Sequence, residues 1–482
     1  MNNAQIAIIG SGFGGIGTAI RLKQEGIEDF IIFERAGDVG GVWRDNTYPG
    51  CACDVQSHLY SLSFVPNSDW THSFSPQAEI WDYLRRCARD YDVLPHIRFE
   101  HTVNEAAWEP ELQRWRIETS GGICFASVLI SAAGALSEPK LPKLIGLETF
   151  RGKVFHSARW DHQFEIERSR VAVIGTGASA IQFVPAIQPQ VEKLHVFQRT
   201  APWIVRRHDR PFTPLERQLF RRFPLAQLLM RGRIYSFREV LGFAFRHPWA
   251  MRLLQPMARR HLKRSVADPV LRAKLTPNYL MGCKRVLISN DYFPALTQPN
   301  VELVTDGIAE VREHSIVGKD GIEREVDAII FGTGFHVSDF PFASRIRGKS
   351  GRTLSDVWAG SPKALAGTTV SGFPNLFLLF GPNTGLGHSS VVYMLEAQIE
   401  HVLSALRYMQ GHGIVAIEAR PEAQAAYVTD VDKNMRGTVW TSGGCLSWYL
   451  DATGRNSTLW PTDSWRFRRR VARFAPGEYV ME

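Results

Sequence analysis

The sequence predicts an α/β fold with two Rossmann-like, dinucleotide-binding domains, because one arrangement of strand, glycine turn, helix and strand occurs twice in its 482 residues. The first copy begins near residue 6 and the second near residue 171. A further observation is that the apolar runs at 128–134 and 327–334 both end in glycine. Such runs are typical of strands after which the chain crosses between domains, so we expect one domain to be inserted in the other.

The first unit contains the features of a complete dinucleotide site. The strand-like run 6–9 enters a turn in which Gly10 permits the tight bend and Gly12 lets the backbone approach a pyrophosphate. Gly15 allows the following helix to pack close to the strand, and the helix N-terminus then faces the phosphates. Glu34 ends the next strand, where it can accept hydrogen bonds from an adenosine ribose, and Arg35 follows it. This unit therefore predicts FAD or NAD.

The second unit repeats the pattern with a different ending. Gly175, Gly177 and Ala180 take the places of the three glycines, and the strand after the helix leads to Arg199 instead of an acid. An acid would repel a 2′-phosphate, whereas Arg199 and the hydroxyl of Thr200 can bind one. The second unit therefore predicts NADPH.

The predicted domain boundaries follow from these units. An FAD-binding domain takes residues 1–144 and 331–482, the latter including a C-terminal closing loop. The NADPH-binding domain takes residues 145–330 and carries a basic helical insertion at 206–275, interpreted as helices appended to that domain. Gly334 marks the second crossing, and Asn383 lies in a glycine-rich loop before a helix whose positive end would face an electron-rich ring. Both residues are expected at the FAD site.

Positive charge is concentrated in one segment. The chain carries +8, yet from Arg206 to Arg264 fourteen arginines and one lysine against three acids give +12. A solvated basic face is the first interpretation, and NADPH steering or weak contact with a membrane surface are the alternatives. No nucleic-acid motif accompanies the charge, so we expect no nucleic-acid partner.

The remaining composition predicts a cytoplasmic protein. No apolar run reaches the roughly 20 residues that a membrane-spanning helix requires. The six cysteines are too unevenly spaced for a disulfide framework, and the first residues resemble no secretory signal. We therefore expect a reducing compartment, and a monomer or homodimer.

Two longer patterns have spacings that neither nucleotide unit explains. The first reads Phe150-x-Gly152-x-x-x-His156-x-x-x-Trp160-Asp161. The second comprises Gly40-Gly41-Val42-Trp43, then Tyr48-Pro49-Gly50, then Asp54. Both resemble the fingerprints of the type I Baeyer–Villiger monooxygenases, and the likeness covers essentially the whole chain.

The resemblance implies an enzyme that uses FAD, NADPH and O2 to convert a ketone to an ester or lactone through a C4a-peroxyflavin. It implies that Arg285 lies over the flavin, that Asp54 orients this arginine and that Lys284 lies near the 2′-phosphate of NADPH. Further cofactor contacts are implied for Gly41, for Trp43 and for Trp448 on a mobile loop. A guanidinium is the fitting residue type, because it cannot lose its proton while it stabilises an oxyanion.

Several alternatives stay open. An N- or S-oxygenating flavin monooxygenase is the second enzyme class, and a nucleotide-binding sensor without turnover is a third. A disulfide reductase is disfavoured because Cys51 and Cys53 are separated by one residue, a poor spacing for a redox pair. His156 is interpreted as structural or cofactor-contacting rather than as a base. The sequence after Tyr449 is more similar to the 4-hydroxyacetophenone monooxygenase branch than to cyclic-ketone enzymes, so the ketone is not specified.

Overall fold

The computed structural model describes residues 2–482, which form five β-sheets and fourteen α-helices. The strands are β1 (Asn2–Ile9), β2 (Phe30–Phe33), β3 (Ile97–Arg98), β4 (Val103–Glu109), β5 (Arg114–Thr119), β6 (Gly122–Ser131), β7 (Lys153–His156), β8 (Arg170–Ile174), β9 (Lys193–Phe197), β10 (Ile204–Val205), β11 (Leu287–Ile288), β12 (Val301–Val304), β13 (Ile308–Arg312), β14 (Ser315–Gly318), β15 (Glu323–Glu325), β16 (Ala328–Phe331), β17 (Ile346–Arg347), β18 (Leu376–Leu378), β19 (Ile417–Ala419) and β20 (Tyr479–Met481).

The helices surround the sheets or connect them. They are α1 (Phe13–Gln24), α2 (Val42–Asp45), α3 (Gln77–Asp90), α4 (Ala180–Ile187), α5 (Pro214–Arg222), α6 (Pro224–Arg246), α7 (Pro248–Ser265), α8 (Pro269–Lys274), α9 (Tyr292–Leu296), α10 (Leu354–Trp358), α11 (Val391–His412), α12 (Pro421–Met435), α13 (Val439–Ser442) and α14 (Ser464–Val471). Short 3₁₀ helices lie at Leu94–His96, Leu147–Thr149, Ser157–Arg159, Pro341–Arg345 and Pro476–Glu478.

The larger sheet takes strands from both ends of the chain. Its order is β17-β4-β5-β6-β1-β2-β3, with β18 also paired to β6. β1 pairs in parallel with β2 and β6, so that Ile6 is opposite both Phe30 and Val128, while β4, β5 and β6 form an antiparallel meander. The long helix α11 packs against α1 and buries most of its length.

The second sheet comes entirely from the middle of the chain. Its order is β12-β9-β8-β16-β7, and every pair in it is parallel. A small antiparallel sheet, β13-β14-β15, precedes β16. Two parallel sheets, the second enclosed in sequence by the strands of the first, are the α/β architecture that the two glycine units predict.

The basic helices present a solvated basic face in part, but they differ from the expectation that they extend the second unit alone. α7 does pack on the second unit, where Leu262 joins the core around α4 and β9. α6 instead lies against residues of the larger sheet's unit. Arg231 on α6 donates hydrogen bonds to the carbonyl oxygens of His58 (2.8 Å) and Ser61 (2.9 Å). The helical segment therefore bridges the two units. The sequence pattern does not reveal this bridge, because it cannot distinguish the charged side chains of the segment that point inward from those that are exposed.

The cysteines also differ in one respect. Cys283 and Cys445 form a disulfide, whereas the other four are free. The two partners are 162 residues apart in sequence, so only the fold brings them together and their spacing gives no sign of pairing. The bond joins the segment before Lys284 to the loop before Trp448. It does not form part of a framework, but the expectation of fully reduced cysteines is wrong for this structure.

A substitution at Gly152 should destabilise the junction between strands β7 and β16. A Cβ atom there would lie 2.3 Å from the Asp327 carbonyl oxygen, which accepts the Lys153 N–H (3.0 Å) that pairs the two strands. We expect Gly152→Ala to cost about 1–3 kcal/mol, as overpacking of a tight site does, and to lower the midpoint of thermal unfolding. Gly37→Ala is the control, because no atom lies within 4 Å of its Cβ; equal midpoints for both variants would contradict the prediction.

Candidate active site

An ion pair between Arg285 and Asp54 lies at the centre of the candidate site. Arg285 Nε donates to Asp54 Oδ2 (2.6 Å) and Nη2 donates to Oδ1 (2.7 Å), although 231 residues separate the two. This two-point contact fixes the plane of the guanidinium. Arg285 Nη1 also donates to the Leu386 carbonyl oxygen (3.4 Å). Each side chain keeps 26% of its surface exposed, so the pair can be reached by a ligand.

The two charges of this pair stabilise each other. Burial by itself raises the pKa of Asp54, but the charge and hydrogen bonds of Arg285, together with Arg238, outweigh it and lower the pKa below its ordinary value. Burial likewise disfavours the charged form of Arg285, and Asp54 more than compensates, so the pKa of Arg285 is raised. The pair is therefore ionised throughout the neutral pH range, and the guanidinium remains a fixed cation.

Arg238 is a second cation at this site that the sequence analysis did not single out. Its side chain, on α6, donates from Nη2 to the Asp54 carbonyl oxygen (3.2 Å) and to Gln56 Oε1 (2.6 Å). From Nη1 it donates to the His388 carbonyl oxygen (3.3 Å). Gln227, Arg231 and Arg238 recur at helical spacing among apolar neighbours. That spacing was the available signal that they share one inward face.

His388 connects the loop before α11 to the basic helices. Its ring is buried, and neither ring nitrogen has a hydrogen-bond partner among residues 2–482. The nearest anion is Glu239, whose Oε1 lies 3.5 Å from His388 Nε2. A Cβ atom on Gly242 would lie 2.7 Å from the same nitrogen, so the absence of a side chain there lets α6 approach the loop. Sequence reasoning missed His388, which lies inside the loop it had identified.

The first glycine turn forms a cradle without side chains. Gly10 has φ +97°, and its Cβ would lie 2.9 Å from the Ala132 carbonyl oxygen. At Gly15 a Cβ would approach the Gly10 carbonyl oxygen to 1.9 Å. Gly41 contacts the same turn, because its Cβ would lie 3.2 Å from the α-carbon of Gly12. The structure therefore brings Gly41 of the second fingerprint onto the glycine turn, and the uncovered backbone fits a pyrophosphate.

Glu34 lies where the sequence predicts, at the end of β2, but its carboxylate is fully engaged. Oε2 accepts from Ser11 N (3.0 Å) and Ser11 Oγ (2.8 Å), while Oε1 accepts from Ala36 N (3.0 Å) and contacts Arg44 Nη1 (3.0 Å). These four donors use the lone pairs of a carboxylate. A ribose at Glu34 would therefore have to displace the Ser11 hydroxyl or Arg44.

Arg35 and Trp43 are held by the protein itself. Arg35 pairs with Glu138 and donates from Nη2 to the Ser137 carbonyl oxygen (3.1 Å), so it braces the chain after β6. Trp43 donates from Nε1 to the hydroxyl of Tyr60 (3.1 Å). Their contacts with a cofactor stay predictions.

The second glycine turn reproduces the first. Gly175 has φ +109°, and its Cβ would lie 2.5 Å from the Gly332 carbonyl oxygen. Around Gly177 there is more room, since no atom would lie closer than 3.8 Å to its Cβ. Ala180 begins α4 and is buried, which allows the helix to pack close to the sheet. The backbone carbonyl oxygen of Thr200 accepts a hydrogen bond from the Thr176 hydroxyl (3.3 Å). This turn too fits the backbone approach that a pyrophosphate requires.

Arg199 and Lys284 come together at this second turn although they are distant in sequence. Arg199 is exposed. Burial lowers the pKa of Lys284, and the neighbouring charge of Arg199 lowers it further. Lys284 also lies over the Tyr279 ring, with Nζ 5.2 Å from the ring centre. A bound anion would stabilise the charged form of Lys284, which Arg199 disfavours.

Two further residues predicted at the FAD site are Gly334 and Asn383. Gly334 lies in the loop after β16 with φ +83°. Asn383 is buried and donates from Nδ2 to the carbonyl oxygens of Asn456 (2.8 Å) and Leu459 (3.0 Å), while its Oδ1 accepts from Arg455 (2.7 Å). Its amide is thus used to hold two loops together. If Asn383 contributes to a cofactor site, it does so by holding its loop in position and not through its own amide.

The loop with Trp448 lies beside the ion pair. Trp448 is 43% exposed, whereas Tyr449 is buried, and their ring centres are 4.3 Å apart. Burial raises the pKa of Tyr449 to about 12, although the nearby charge of Arg285 acts in the opposite direction. Tyr449 therefore stays a neutral phenol next to the guanidinium. The sequence analysis identified its neighbour Trp448 and not Tyr449.

The two fingerprints meet on helix α4 of the second unit. Tyr48 donates to Gln182 Oε1 (2.9 Å), and Gln182 Nε2 donates to the Ala52 carbonyl oxygen (2.9 Å). The Ala52 N–H in turn donates to Gln182 Oε1 (3.3 Å). Trp160 of the other fingerprint packs on Phe183, with ring centres 5.4 Å apart. The contacts of Tyr48 and Ala52 with Gln182 join the two nucleotide units, whereas Trp160 packs on the same helix from within the second unit.

His156 belongs to this junction as well. It ends β7, and its Nδ1 accepts from the Ala158 N–H (3.1 Å). Burial lowers the pKa of His156 to about 4, so the ring is neutral near pH 7. Its edge-to-face contact with Phe335, at 5.5 Å between ring centres, joins the linker to the loop after β16. This geometry supports the structural interpretation over that of a base.

Comparison with known proteins agrees with the fold. A profile of the flavin-binding monooxygenase-like family matches residues 3–349. A Baeyer–Villiger monooxygenase of Streptomyces coelicolor is 50% identical over 479 residues, which cover 99% of this chain and 92% of the relative. One of Pseudomonas aeruginosa is 49% identical over 481 residues, covering 99% and 91%.

Solved structures give the same result. An oxidised steroid monooxygenase bound to NADP has a TM-score of 0.88 and 29% identity, with 100% of this chain and 99% of that chain covered. A closed form of cyclohexanone monooxygenase has a TM-score of 0.89 and 27% identity at the same coverage. The chain therefore belongs to the flavin-binding monooxygenases. Within them it is a member of the Baeyer–Villiger monooxygenase family, which confirms the predicted family and fold class.

The proximity of Lys284 to Arg199 gives a prediction for NADPH binding. Because the pKa of Lys284 is lowered, the lysine should lose its charge at a pH below its ordinary value, and the KM for NADPH should then rise with pH. Lys284→Arg should keep the KM flat between about pH 7 and pH 10, since a guanidinium stays charged.

The measurement is the KM for each nucleotide across this range. NADH is the control, because it lacks the 2′-phosphate and should show no such rise with the unmodified protein. The same pH dependence for NADPH in both proteins would contradict the assignment of Lys284.

Proposed function

We propose that the protein is an FAD- and NADPH-dependent Baeyer–Villiger monooxygenase that converts a ketone and O2 to an ester or lactone, with oxidation of NADPH and release of water. The observation that carries this is the bidentate Arg285–Asp54 pair, which joins the two units that carry the glycine turns of nucleotide-binding form. Membership of the family supports the same reaction.

FAD held at the first glycine turn would, when reduced by NADPH, activate O2 for transfer to the ketone. The contribution of Arg285 is a permanent positive charge in a partly buried site, where it can stabilise negative charge on oxygen. Asp54 holds the guanidinium in one plane. Arg285 Nη1 makes a long hydrogen bond to the Leu386 carbonyl oxygen and is not bound by Asp54, so it is the group best placed to bind a ligand.

Arg238 adds to the positive character of the site. Asp54 neutralises one of the two arginines, so the surroundings remain cationic overall and favour anionic oxygen. Arg238 also donates to the backbone of Asp54 and His388, which fixes the two segments on either side of the pair. We assign Arg238 as a positioning residue and Arg285 as the catalytic one.

The two nucleotides are assigned to the two units. FAD would be held by residues 1–144 and 331–482, through the turn formed by Gly10, Gly12, Gly15 and Gly41. NADPH would be held by residues 145–330, with the pyrophosphate on the Gly175–Gly177 turn and the 2′-phosphate between Arg199 and Lys284. The open space around Gly177 supports the place of the pyrophosphate. The closeness of the positive charges of Arg199 and Lys284 supports the place of the 2′-phosphate.

We also propose that the loop carrying Trp448 closes over the bound NADPH. Trp448 is half exposed, while Tyr449 beside it is packed close to Arg285. The Cys283–Cys445 disulfide ties this loop to the segment that carries Lys284 and Arg285. Closure would exclude water from the reacting oxygen and reduce its loss as hydrogen peroxide.

The partners are a small-molecule ketone and O2, with a monomer or homodimer as the predicted assembly. Among residues 2–482, no helix combines the length and the apolar character needed to cross a membrane. A cytoplasmic location stays a prediction, and there the Cys283–Cys445 bond would be exposed to reductants.

Removal of the guanidinium should separate NADPH oxidation from oxygen transfer. We expect Arg285→Ala to lower the rate of ester formation by about 10²–10³-fold, the usual effect of losing one oxyanion-stabilising group. NADPH oxidation should continue, with hydrogen peroxide as its product. The measurement is the ratio of ester to NADPH consumed.

The matched control is Arg407→Ala, which removes a surface arginine with the same two-point contact, in this case to Glu25 (2.9 and 2.8 Å). That variant should keep the unmodified ratio. Ester formation at an unchanged rate in Arg285→Ala would exclude Arg285 as the catalytic cation.

The reaction itself is tested by a panel of aryl, aliphatic and polycyclic ketones with matched sulfides and amines, scored by product mass. We expect NADPH-dependent products 16 mass units, about one oxygen atom, above at least one ketone class. Products from the sulfides or amines with none from any ketone would favour an N- or S-oxygenating monooxygenase and reject the proposal.

A further inference from the structure

Helix α6 differs from a helix that covers a protein core with an apolar face alone. Its inward face places buried polar and charged side chains beside apolar ones such as Ile234 and Phe245. Gln227 is buried and donates to the Asn67 carbonyl oxygen (2.6 Å), Arg231 donates to two loop carbonyls, and Arg238 reaches Asp54 and Gln56. Hydrogen bonds and ion pairs therefore add to the apolar contacts that hold this helix on the protein.

The outward face of α6 exposes large apolar side chains. Five of them are each more than half exposed, with Leu225, Leu228 and Leu229 in the first turns of the helix and Phe237 and Val240 about two turns further on. Arg233 and Ser236 are exposed between these two groups. A monomeric protein rarely exposes so much apolar surface on one element without a function. We call these five residues the apolar stripe.

The neighbouring helices extend the apolar stripe. On α7, Trp249, Leu253 and Met257 are each more than half exposed at successive intervals of four residues. Phe243 near the end of α6 contacts Trp249 at the start of α7, with ring centres 6.0 Å apart, so the two helices present continuous apolar surface. Phe223, between α5 and α6, is also 54% exposed.

The same helices carry exposed positive charge. Exposed cations on α5, α6 and α7 are Arg221, Arg222, Arg233, Arg252, Arg259, Arg260, Lys263 and Arg264. The segment from Arg206 to Arg264 carries +12, as fifteen cations against three acids. A second copy of the chain would bring these charges against each other, which disfavours a self-contact here. An anionic surface with an apolar interior complements both features.

We propose that α5, α6 and α7 bind the surface of a membrane rich in anionic lipid headgroups, with the apolar stripe inserted at the boundary of the acyl chains. The helices lie in the interface and do not span it, in keeping with the lack of a membrane-crossing helix among the described residues. The inward face of α6 meanwhile keeps its contacts with Asp54 and His388. The proposal concerns binding alone and does not depend on the proposed reaction.

The test uses the full-length, flavin-loaded protein and sedimentation with lipid vesicles. One set of vesicles is phosphatidylcholine alone and the other contains about one-third phosphatidylglycerol. We expect the protein to sediment with the anionic vesicles at low salt and to be released at about 0.5 M salt, since screening weakens the attraction. No binding to the anionic vesicles at low salt would overturn the proposal.

Two variants separate the apolar and the charged contributions. The triple variant Leu225→Ser, Leu229→Ser, Phe237→Ser should lower vesicle binding about tenfold or more, because it removes the inserting side chains. The pair Arg259→Glu, Arg260→Glu should lower it about tenfold or more by reversing two surface charges. The matched control is Leu112→Ser, Leu141→Ser, Ile145→Ser, which alters three side chains that are more than half exposed elsewhere and should bind as the unmodified protein does.

Further readouts keep the test decisive. The far-ultraviolet circular dichroism and the flavin content of all variants should equal those of the unmodified protein, because every substituted side chain is exposed. Unchanged vesicle binding by the triple variant would overturn the role of the apolar stripe. If sedimentation velocity shows a dimer that the triple variant abolishes, a second copy covers the stripe and the lipid proposal is wrong.

Discussion

The ion pair between Asp54 and Arg285 is the constraint on which the site depends. Asp54 lies on a loop of the larger sheet's unit, and Arg285 follows the helices inserted in the second unit. Their two hydrogen bonds therefore fix the orientation of a cation and also hold together chain segments that the topology keeps apart. Arg238 on α6 donates to the backbone of Asp54. A displacement of the basic helices would therefore move Asp54 through this side chain.

The parts that could be predicted from sequence are those in which local geometry dictates residue type. Gly10 and Gly175 occupy positive φ beside a carbonyl oxygen, and a side chain at either place would collide with backbone. Such positions can be read directly from the chain, as can the strand and helix around them. The pairing of Asp54 with Arg285 was available only through resemblance to a family, because nothing in 231 residues of intervening sequence specifies that contact.

What could not be predicted depends on packing between distant segments. Arg238 was missed because a buried charge and an exposed one look alike in a basic stretch, and His388 was missed because a glycine-rich loop does not show which of its side chains turns inward. The Cys283–Cys445 bond was missed because spacing rules apply to cysteines that are close in sequence. Glu34 was located correctly, yet only the structure shows that Ser11, Ala36 and Arg44 already occupy its oxygens. In each case the sequence shows the residue type but not the residue that it contacts.

Gln182 has a consequence for the modular view of such proteins. Its side-chain amide both donates to and accepts from the backbone of Ala52, as one strand does with its neighbour, and also accepts from Tyr48. The complementary surface therefore belongs to residues 48–52, outside the middle unit that contains Gln182. A chimera that exchanged only the middle unit with that of a relative would break this match unless both sides were transplanted together. The smallest segment whose exchange keeps this match is therefore larger than the nucleotide domain.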